Sequence, residues 1–336
     1  MKTRSLYGYD PGLPPFSGKE PVEQVAVLQS WGCNAVFGGY ESADFVAAAH
    51  NAGVRVFAEF GCFVGQRWWD QVPESRPVDA KGRPLEPEGW YYGVNPSVPA
   101  VRDSLLDELE STLERHAIDG IWLDFIRWPC HWEVPKPLLR QTSFDRGTLG
   151  RFRRDSGARF PADVPERAAE AITVGHQAEW NAWRCDQITS WVAQAKAVVR
   201  RARPDAVLGL FGVPWLKSDY SGAIIDVVGQ DYAAFGPFVD IVSPMVYHAM
   251  CGFPVHWIAQ VIDEIAALTG KAVWPIIQSV GEPMPLPTGE YASALALSLA
   301  HVATDGVVVF TIKGVLEAPK LEATIGQFGA SASERD

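Results

Sequence analysis

Several motifs that mark common enzyme classes are missing from this chain. It has no Cys-x-x-Cys pair, no Gly-rich phosphate loop after a predicted strand and no Gly-x-Ser-x-Gly elbow. His131, His248 and His256 lack the spacing of a zinc motif. Cys130 and His131 are adjacent, and neighbouring side chains of an extended segment point apart. The sequence therefore predicts neither a metal site nor a cofactor.

Cysteine is scarce, and long apolar runs are absent. The five cysteines are scattered and odd in number, which favours free thiols in a reducing compartment over a disulfide framework. No apolar run approaches membrane-spanning length, and the first predicted strand begins by Ser5, which leaves no room for a signal peptide. We therefore expect a cytoplasmic protein without a membrane partner, although an exported protein trimmed of its leader would look the same.

Acidic residues outnumber basic residues in this chain. The 29 Lys and Arg against 40 Asp and Glu give a net charge of −11, which argues against nucleic acid or an anionic membrane surface as a partner. A neutral or weakly charged substrate is easier to accommodate. The 13 tryptophans are many for this length, and their flat faces suit stacking against sugar rings as well as core packing. The composition leaves the oligomeric state open.

One stretch organises the rest of the chain, the segment Asp119-Gly-Ile-Trp-Leu-Asp-Phe-Ile-Arg-Trp-Pro129. It opens with a turn pair and continues as a nearly continuous apolar run, which is typical of a parallel strand covered on both faces. Asp124 lies near the far end of this run. A charge there predicts either a polar pocket at the strand's carboxyl end or a paired structural ion.

Short β-like runs alternate with helical patterns along the chain. The predicted strands are Ser5–Asp10, Ala35–Tyr40, Val54–Phe60, Ile121–Ile126, Ala206–Val213, Asp240–Tyr247, Ala272–Val280 and Gly306–Ile312. Eight strands with crossover helices predict an α/β fold, a (β/α)8 TIM barrel with long loops after strands three and four. We expect one barrel domain over residues 1–328 and a disordered tail over 329–336.

The two long connections carry many aromatic residues. Residues 63–99 follow strand three and residues 129–177 follow strand four, so both should lie over the face where this fold places its chemistry. The candidate sugar platforms are Trp68, Trp69, Trp90, Tyr91 and Tyr92. The alternative is that these rings pack the loops against the barrel.

Two carboxylates at neighbouring strand ends are the candidate catalytic pair. Glycosidic cleavage uses one group to protonate the leaving oxygen and another to attack the anomeric carbon or activate water. Asp124 is the candidate nucleophile or stabiliser, and Arg127 could hold it ionised with a lowered pKa. Glu59 lies in an apolar run that would raise its pKa, as a general acid requires, unless it pairs with Arg127 instead.

Other polar residues near predicted strand ends are weaker candidates. Asp10, Glu133, Asp231 and Glu282 are rival carboxylates, and Asp231 could equally be a helix cap. His131, Tyr247, His248 and Gln278 could bind or orient substrate hydroxyls, or could be structural. Lys313 alone is thin support for Schiff-base chemistry.

The chain resembles a known group of barrel proteins. The segments DGIWLDFIRWP, GWYYGVNPSVPAVRD and GQDYAAFGPFVDIVSPMVYH resemble the family-10-like glycosyl hydrolases, whose signature reads D-G-hydrophobic-x-L-D-Y-I-R-Y-P. Phe125 and Trp128 stand where that signature usually has Tyr, while Asp124 and Arg127 match it. The resemblance covers roughly residues 1 to 320 and implies glycoside hydrolysis without supplying a substrate.

Three functional hypotheses follow from the sequence. The first is a glycosidase centred on Asp124 with a carbohydrate substrate. The second is a carbohydrate-binding barrel without catalysis. The third is an inverting, sialidase-like hydrolase in which His131 acts as the base with an aspartate.

Overall fold

A closed parallel β-barrel forms the centre of the computed structural model, which describes residues 1–333. Every pairing in its sheet is parallel, and β1 with β9 and β5 with β6 complete the ring. The strands within these residues are β1 (Thr3–Tyr9), β2 (Ala35–Gly38), β3 (Arg55–Gly61), β4 (Gly120–Asp124), β5 (Val207–Gly212), β6 (Ile241–Val246), β7 (Ala272–Val273), β8 (Ile276–Gln278) and β9 (Gly306–Phe310).

The seventh barrel position is divided into β7 and β8, which both pair with β6. Pro275 lies between them and has no N–H for the ladder. The ring stays closed there because the Trp274 N–H donates to the Val242 carbonyl and the Pro275 carbonyl accepts from Val308. Eight strand positions therefore close the barrel, and the predicted (β/α)8 class is confirmed.

Helices surround the barrel. Within residues 1–333 they are α1 (Pro21–Ser30), α2 (Ala43–Asn51), α3 (Gln66–Gln71), α4 (Pro99–Arg115), α5 (Arg146–Ser156), α6 (Pro165–Gly175), α7 (Gln177–Ala202), α8 (Ala223–Asp226), α9 (Tyr232–Phe235), α10 (His248–Cys251), α11 (Trp257–Thr269), α12 (Thr288–Ala300), α13 (Ile312–Val315) and α14 (Ala318–Ser333). No helix of the described part is long and apolar enough to cross a membrane.

The chain's end differs from the sequence prediction. The expected disordered tail began at residue 329, but α14 continues to Ser333. Phe328 is fully buried on this helix and touches the first βα unit near Gly32, which holds the helix on the barrel. Residues 334–336 of the predicted tail lie outside the described residues.

An aromatic layer fills the inside of the barrel. Trp122 of β4 packs against Phe37, Phe57 and Phe211 of three other strands and stacks on Trp274, with 5.4 Å between the last two ring centroids. Its indole N–H donates to the Ser243 hydroxyl at 2.9 Å. Because these contacts reach across the ring of strands, every second residue of β4 must point inward.

The two long excursions pack against each other over one end of the barrel. The Asn95 amide donates to the Thr148 hydroxyl at 2.8 Å, and the Ser143 N–H donates to the Val78 carbonyl at 2.6 Å. The second excursion contains α5 and α6 and leads into α7. Both start at strand carboxyl ends, as predicted, and together they form one wall of the barrel mouth.

Candidate active site

Two acidic side chains meet at the mouth of the barrel. In the register of β3 and β4, Glu59 lies beside Trp122 and Gly61 lies beside Asp124. Since Trp122 points inward, Asp124 two residues later does so as well. The two carboxyl groups are neighbours, and each affects the pKa of the other. The Tyr7 hydroxyl donates a hydrogen bond to Glu59 Oε2.

A small cavity opens above this pair. It has a volume of about 190 Å³ and is lined by Glu59 together with residues at the ends of β1 and β2, namely Tyr7, Gly8, Phe37, Gly38 and Tyr40. The Asp124 side chain is 13% exposed, so the pair is largely but not completely desolvated. Both carboxyl groups therefore face the open end of the barrel.

Burial and mutual repulsion govern the protonation of the pair. Burial, as the larger cause, and the negative charge of Asp124, as the smaller one, raise the pKa of Glu59 to about 8. Burial also raises the pKa of Asp124, although Arg127, the Phe125 N–H and Glu59 oppose that rise. Arg127 acts in the predicted direction, but desolvation outweighs it, so the pKa of Asp124 is raised and not lowered overall. The raised pKa predicted for Glu59 agrees with the structure.

Asp124 is the partner that more readily carries the negative charge. The Phe125 N–H donates to Asp124 Oδ1 at 2.6 Å, which Phe125 achieves in the left-handed conformation with φ of 51°. Arg127 Nη1 lies 3.9 Å from the same oxygen. Two contacts therefore favour the Asp124 carboxylate, whereas Glu59, with a pKa raised to about 8, keeps its proton at neutral pH.

Arg127 is almost completely buried beneath the mouth. Its guanidinium lies 4.8 Å from the Phe125 ring centroid and 5.6 Å from that of Tyr91. Within residues 1–333 its Nε and Nη1 atoms have no hydrogen-bond partner. A buried cation without full hydrogen bonding is costly unless charges compensate it, so Arg127 balances the acidic groups around it.

A third carboxylate approaches from the loop after β4. Burial raises the pKa of Glu133 to about 6, with Arg127 opposing and Asp124 adding to the rise. His131 lies between two acids, 3.7 Å from Glu88 and 4.0 Å from Glu133. Tyr247 is buried beside this group and stacks on Trp132, with 5.7 Å between ring centroids. Glu133, His131 and Tyr247 thus belong to the mouth, as predicted.

Three predicted site residues are held by core packing or by backbone hydrogen bonds. Trp68 is only 3% exposed and packs in the core, so it offers no platform for a sugar. Asp231 caps α9 by accepting the Ala234 N–H, and it borders a separate groove of about 420 Å³ on the outside of the barrel. The Gln278 side chain is fully buried and bonded to the backbones of Met250 and Val280. All three are structural in the described chain.

Other predicted residues lie at the edge of the site. The Trp69 indole N–H donates to the Gly93 carbonyl, and its ring meets Tyr92 edge to face at 5.1 Å, so this pair mainly holds the first excursion together. Asp10 is exposed, accepts the Gly12 N–H and borders a cavity of about 410 Å³ next to the mouth. Among residues 1–333, no group of three or more His, Cys, Asp or Glu side chains is arranged to hold a metal ion.

Sequence reasoning missed two residues of the site. Tyr7 and Tyr40 were not among the candidates, although Tyr7 bonds Glu59 and Tyr40 lines the cavity. The alternation along β1 could have identified Tyr7, because it is a polar-tipped residue near the end of an inward-facing row.

Comparisons with known proteins bear on the fold. No family model matches the sequence, and no curated protein matches it either. The structure is similar to a β-galactosidase from Marinomonas ef1, with a TM-score of 0.72 and 11% identity over 97% of this chain and 59% of that one. The chain thus spans about three fifths of that protein.

Two further solved structures are similar. The PgaB (BpsB) glycoside hydrolase domain from Bordetella bronchiseptica has a TM-score of 0.68 and 14% identity over 98% of this chain and 99% of that one. An α-L-fucosidase from Paenibacillus thiaminolyticus has a TM-score of 0.62 and 12% identity over 99% of this chain and 50% of that one. These likenesses support a barrel like those of glycosidases, but not the family-10-like group or its signature.

Proposed function

We propose that this protein is a glycoside hydrolase that cleaves O-glycosidic bonds of an oligosaccharide or polysaccharide. The observation that carries the proposal is the pair Glu59 and Asp124 on neighbouring strands, with Glu59 lining a cavity at the carboxyl ends of the strands. Active sites of (β/α)8 enzymes lie at this end of the barrel. The similarity to barrels whose printed names are glycosidases adds support.

The proposed roles follow from where the proton resides. Protonated Glu59 is the general acid that protonates the leaving oxygen. The Asp124 carboxylate stabilises the positive charge that develops at the anomeric carbon, or attacks that carbon. A glycosidic oxygen that enters between the two groups accepts the proton of Glu59.

Tyr7 and Arg127 act through the two carboxyl groups. The Tyr7 hydroxyl fixes Glu59 from the β1 side, and burial raises the pKa of this phenol far above its usual range, so it remains a donor. Arg127 and the Phe125 N–H favour the negative charge on Asp124. These contacts preorganise the pair before substrate arrives.

The Asp124→Asn variant tests the proposal. Asparagine keeps the shape but carries no negative charge, so we expect kcat/KM for glycoside hydrolysis to fall by at least about a hundredfold. A panel of aryl glycosides and plant and microbial polysaccharides provides the assay, and the product anomer is followed by NMR. Sugar binding by the variant should persist in calorimetry.

Asp107→Asn is a matched control, because Asp107 is an exposed residue of the outer helix α4 and should leave turnover unchanged. Turnover by Asp124→Asn equal to that of the wild type would remove Asp124 from the mechanism. A wild-type protein that binds sugars but hydrolyses nothing in the panel would instead favour the non-catalytic carbohydrate-binding barrel.

A further inference from the structure

We infer that the substrate is a chain of sugars that occupies both sides of the carboxyl pair, so that the enzyme cuts within the chain. This inference rests on the proposed function and specifies its substrate. It depends on two features that flank Glu59 and Asp124 in different directions: an exposed indole beside β4 and an open cavity beyond β2.

The first feature is Trp90, at the tip of the excursion after β3. It is 62% exposed, the only tryptophan in the described chain among the exposed large hydrophobic residues. Its ring meets Phe125 edge to face, with 6.0 Å between centroids, and meets Tyr91 in the same way at 5.8 Å. Phe125 directly follows Asp124 and donates to its carboxylate. Trp90 therefore offers a flat apolar surface that is separated from Asp124 only by Phe125.

An exposed tryptophan needs a reason, because burial of this ring is strongly favourable. Trp90 is held by neighbouring rings, and its excursion is tied to the opposite loop by the ion pair of Arg140 with Glu88 at 3.0 Å. A ring fixed in this way can stack against a sugar without losing much side-chain entropy.

The second feature is a cavity of about 410 Å³ between the loops after β1 and β2. Tyr40 lines both this cavity and the 190 Å³ cavity that contains Glu59. The larger cavity lies within the range of about 300–1,000 Å³ that is typical of small-molecule sites. Its wall combines aromatic Tyr9 with the polar Ser42 and Gln24. Sugar units can therefore continue past Glu59 on the β1 and β2 side.

These two features lie on opposite sides of the pair. A substrate that stacks on Trp90 and continues past Tyr40 runs over Glu59 and Asp124. The glycosidic bond that it presents to the two acids therefore lies within the sugar chain and not at its end. The carboxylates along this path, including Asp10 and Glu41, disfavour a polyanionic glycan. The inferred substrate is therefore a polysaccharide without acidic sugars, cut internally.

End-labelled oligosaccharides of increasing length test the inference. They are prepared from whichever panel polysaccharide the wild-type enzyme cleaves, and the products are resolved by chromatography over time. We expect the first products to be internal fragments, and kcat/KM to rise with chain length. Release of single sugars from one end would overturn the inference but leave hydrolysis intact, whereas cleavage of no glycan would overturn the proposed function.

Trp90→Ala tests the stacking surface directly. We expect it to lower kcat/KM for the longest chains about tenfold, equivalent to about 1.4 kcal/mol, and to lower it less for the shortest. Trp90→Phe should restore most of the loss, because a flat ring remains. Val302→Ala removes another exposed apolar side chain, at the other end of the barrel before β9, and is the control. An equal effect of Trp90→Ala on all chain lengths would contradict the role assigned to Trp90.

Discussion

Glu59 shows how burial changes the protonation state of a side chain. An ordinary glutamic acid is ionised at neutral pH, but burial and the adjacent Asp124 raise the pKa of Glu59 to about 8. The protonated form is thus retained at neutral pH and lost as the pH rises through about 8. Glu133 has a pKa of about 6 and would lose its proton two units earlier.

The pH dependence of hydrolysis distinguishes these two acids. If Glu59 is the proton donor, kcat/KM stays high up to a pH of about 8 and falls above it. Glu59→Gln should lower the rate by at least about a hundredfold and remove that alkaline limb. Glu133→Gln is the matched control and should keep the limb. A fall centred near pH 6 that disappears in Glu133→Gln would assign the acid to Glu133 instead.

At the scale of single residues, the sequence indicated the two acids that the barrel places together more reliably than it indicated the residues around them. Asp124 and Glu59 stood out because charges near the ends of apolar strands need compensation. Trp68, Asp231 and Gln278 were also predicted to belong to the site, but core packing and backbone hydrogen bonds occupy their side chains. The direction of a side chain in a loop depends on contacts distant in sequence, which no local pattern specifies.

Strands were predictable as elements because the barrel buries them on both faces. Each predicted apolar run overlaps an observed strand, and the ends differ by at most two residues, where pairing stops. The split of the seventh position at Pro275 was missed, since a single proline leaves the apolar pattern intact. No bounds were predicted for α5 and α6, because these helices belong to an excursion that packs on α7 and not to the alternation of strands and barrel helices.

Gly209 of β5 tests the packing of these elements. A Cβ at this position would overlap the Trp122 ring, which is fixed among other aromatic side chains. We expect Gly209→Ala to lower the free energy of unfolding by about 1–3 kcal/mol, measured by urea denaturation.

Gly150, inside α5, is the matched control, since a Cβ there meets nothing within 4 Å. Gly150→Ala should stabilise the protein by about 0.5–1 kcal/mol, because alanine is the better helix former. Equal stabilities for wild type and Gly209→Ala would mean that the aromatic layer can shift to admit a methyl group.

At the scale of the whole molecule, the fold sequesters every thiol. The cysteines at positions 33, 62, 130, 185 and 251 are all buried and unpaired, and burial raises the pKa of each one. The reducing compartment inferred from their number stays a prediction, because burial protects a thiol in any compartment.

Thiol titration checks this arrangement. A water-soluble disulfide reagent at pH 8 should react slowly with the native protein. After denaturation it should react rapidly with all five cysteines. The reason is that both access and thiolate formation are suppressed in the folded state. Rapid reaction of one native thiol would show that the barrel opens locally near that residue.

The aromatic layer around Trp122 also limits how the acids exchange protons. It lies directly below Tyr7, whose ring packs on Phe37 and Phe211, and so it closes the barrel beneath Glu59. The cavity beside Glu59 opens above this layer, where the proposed glycan would dock. A glycan bound in this cleft would then separate the two acids from bulk water. Glu59 must therefore be protonated before the glycan binds, and the order of protonation and binding becomes part of the proposed catalytic cycle.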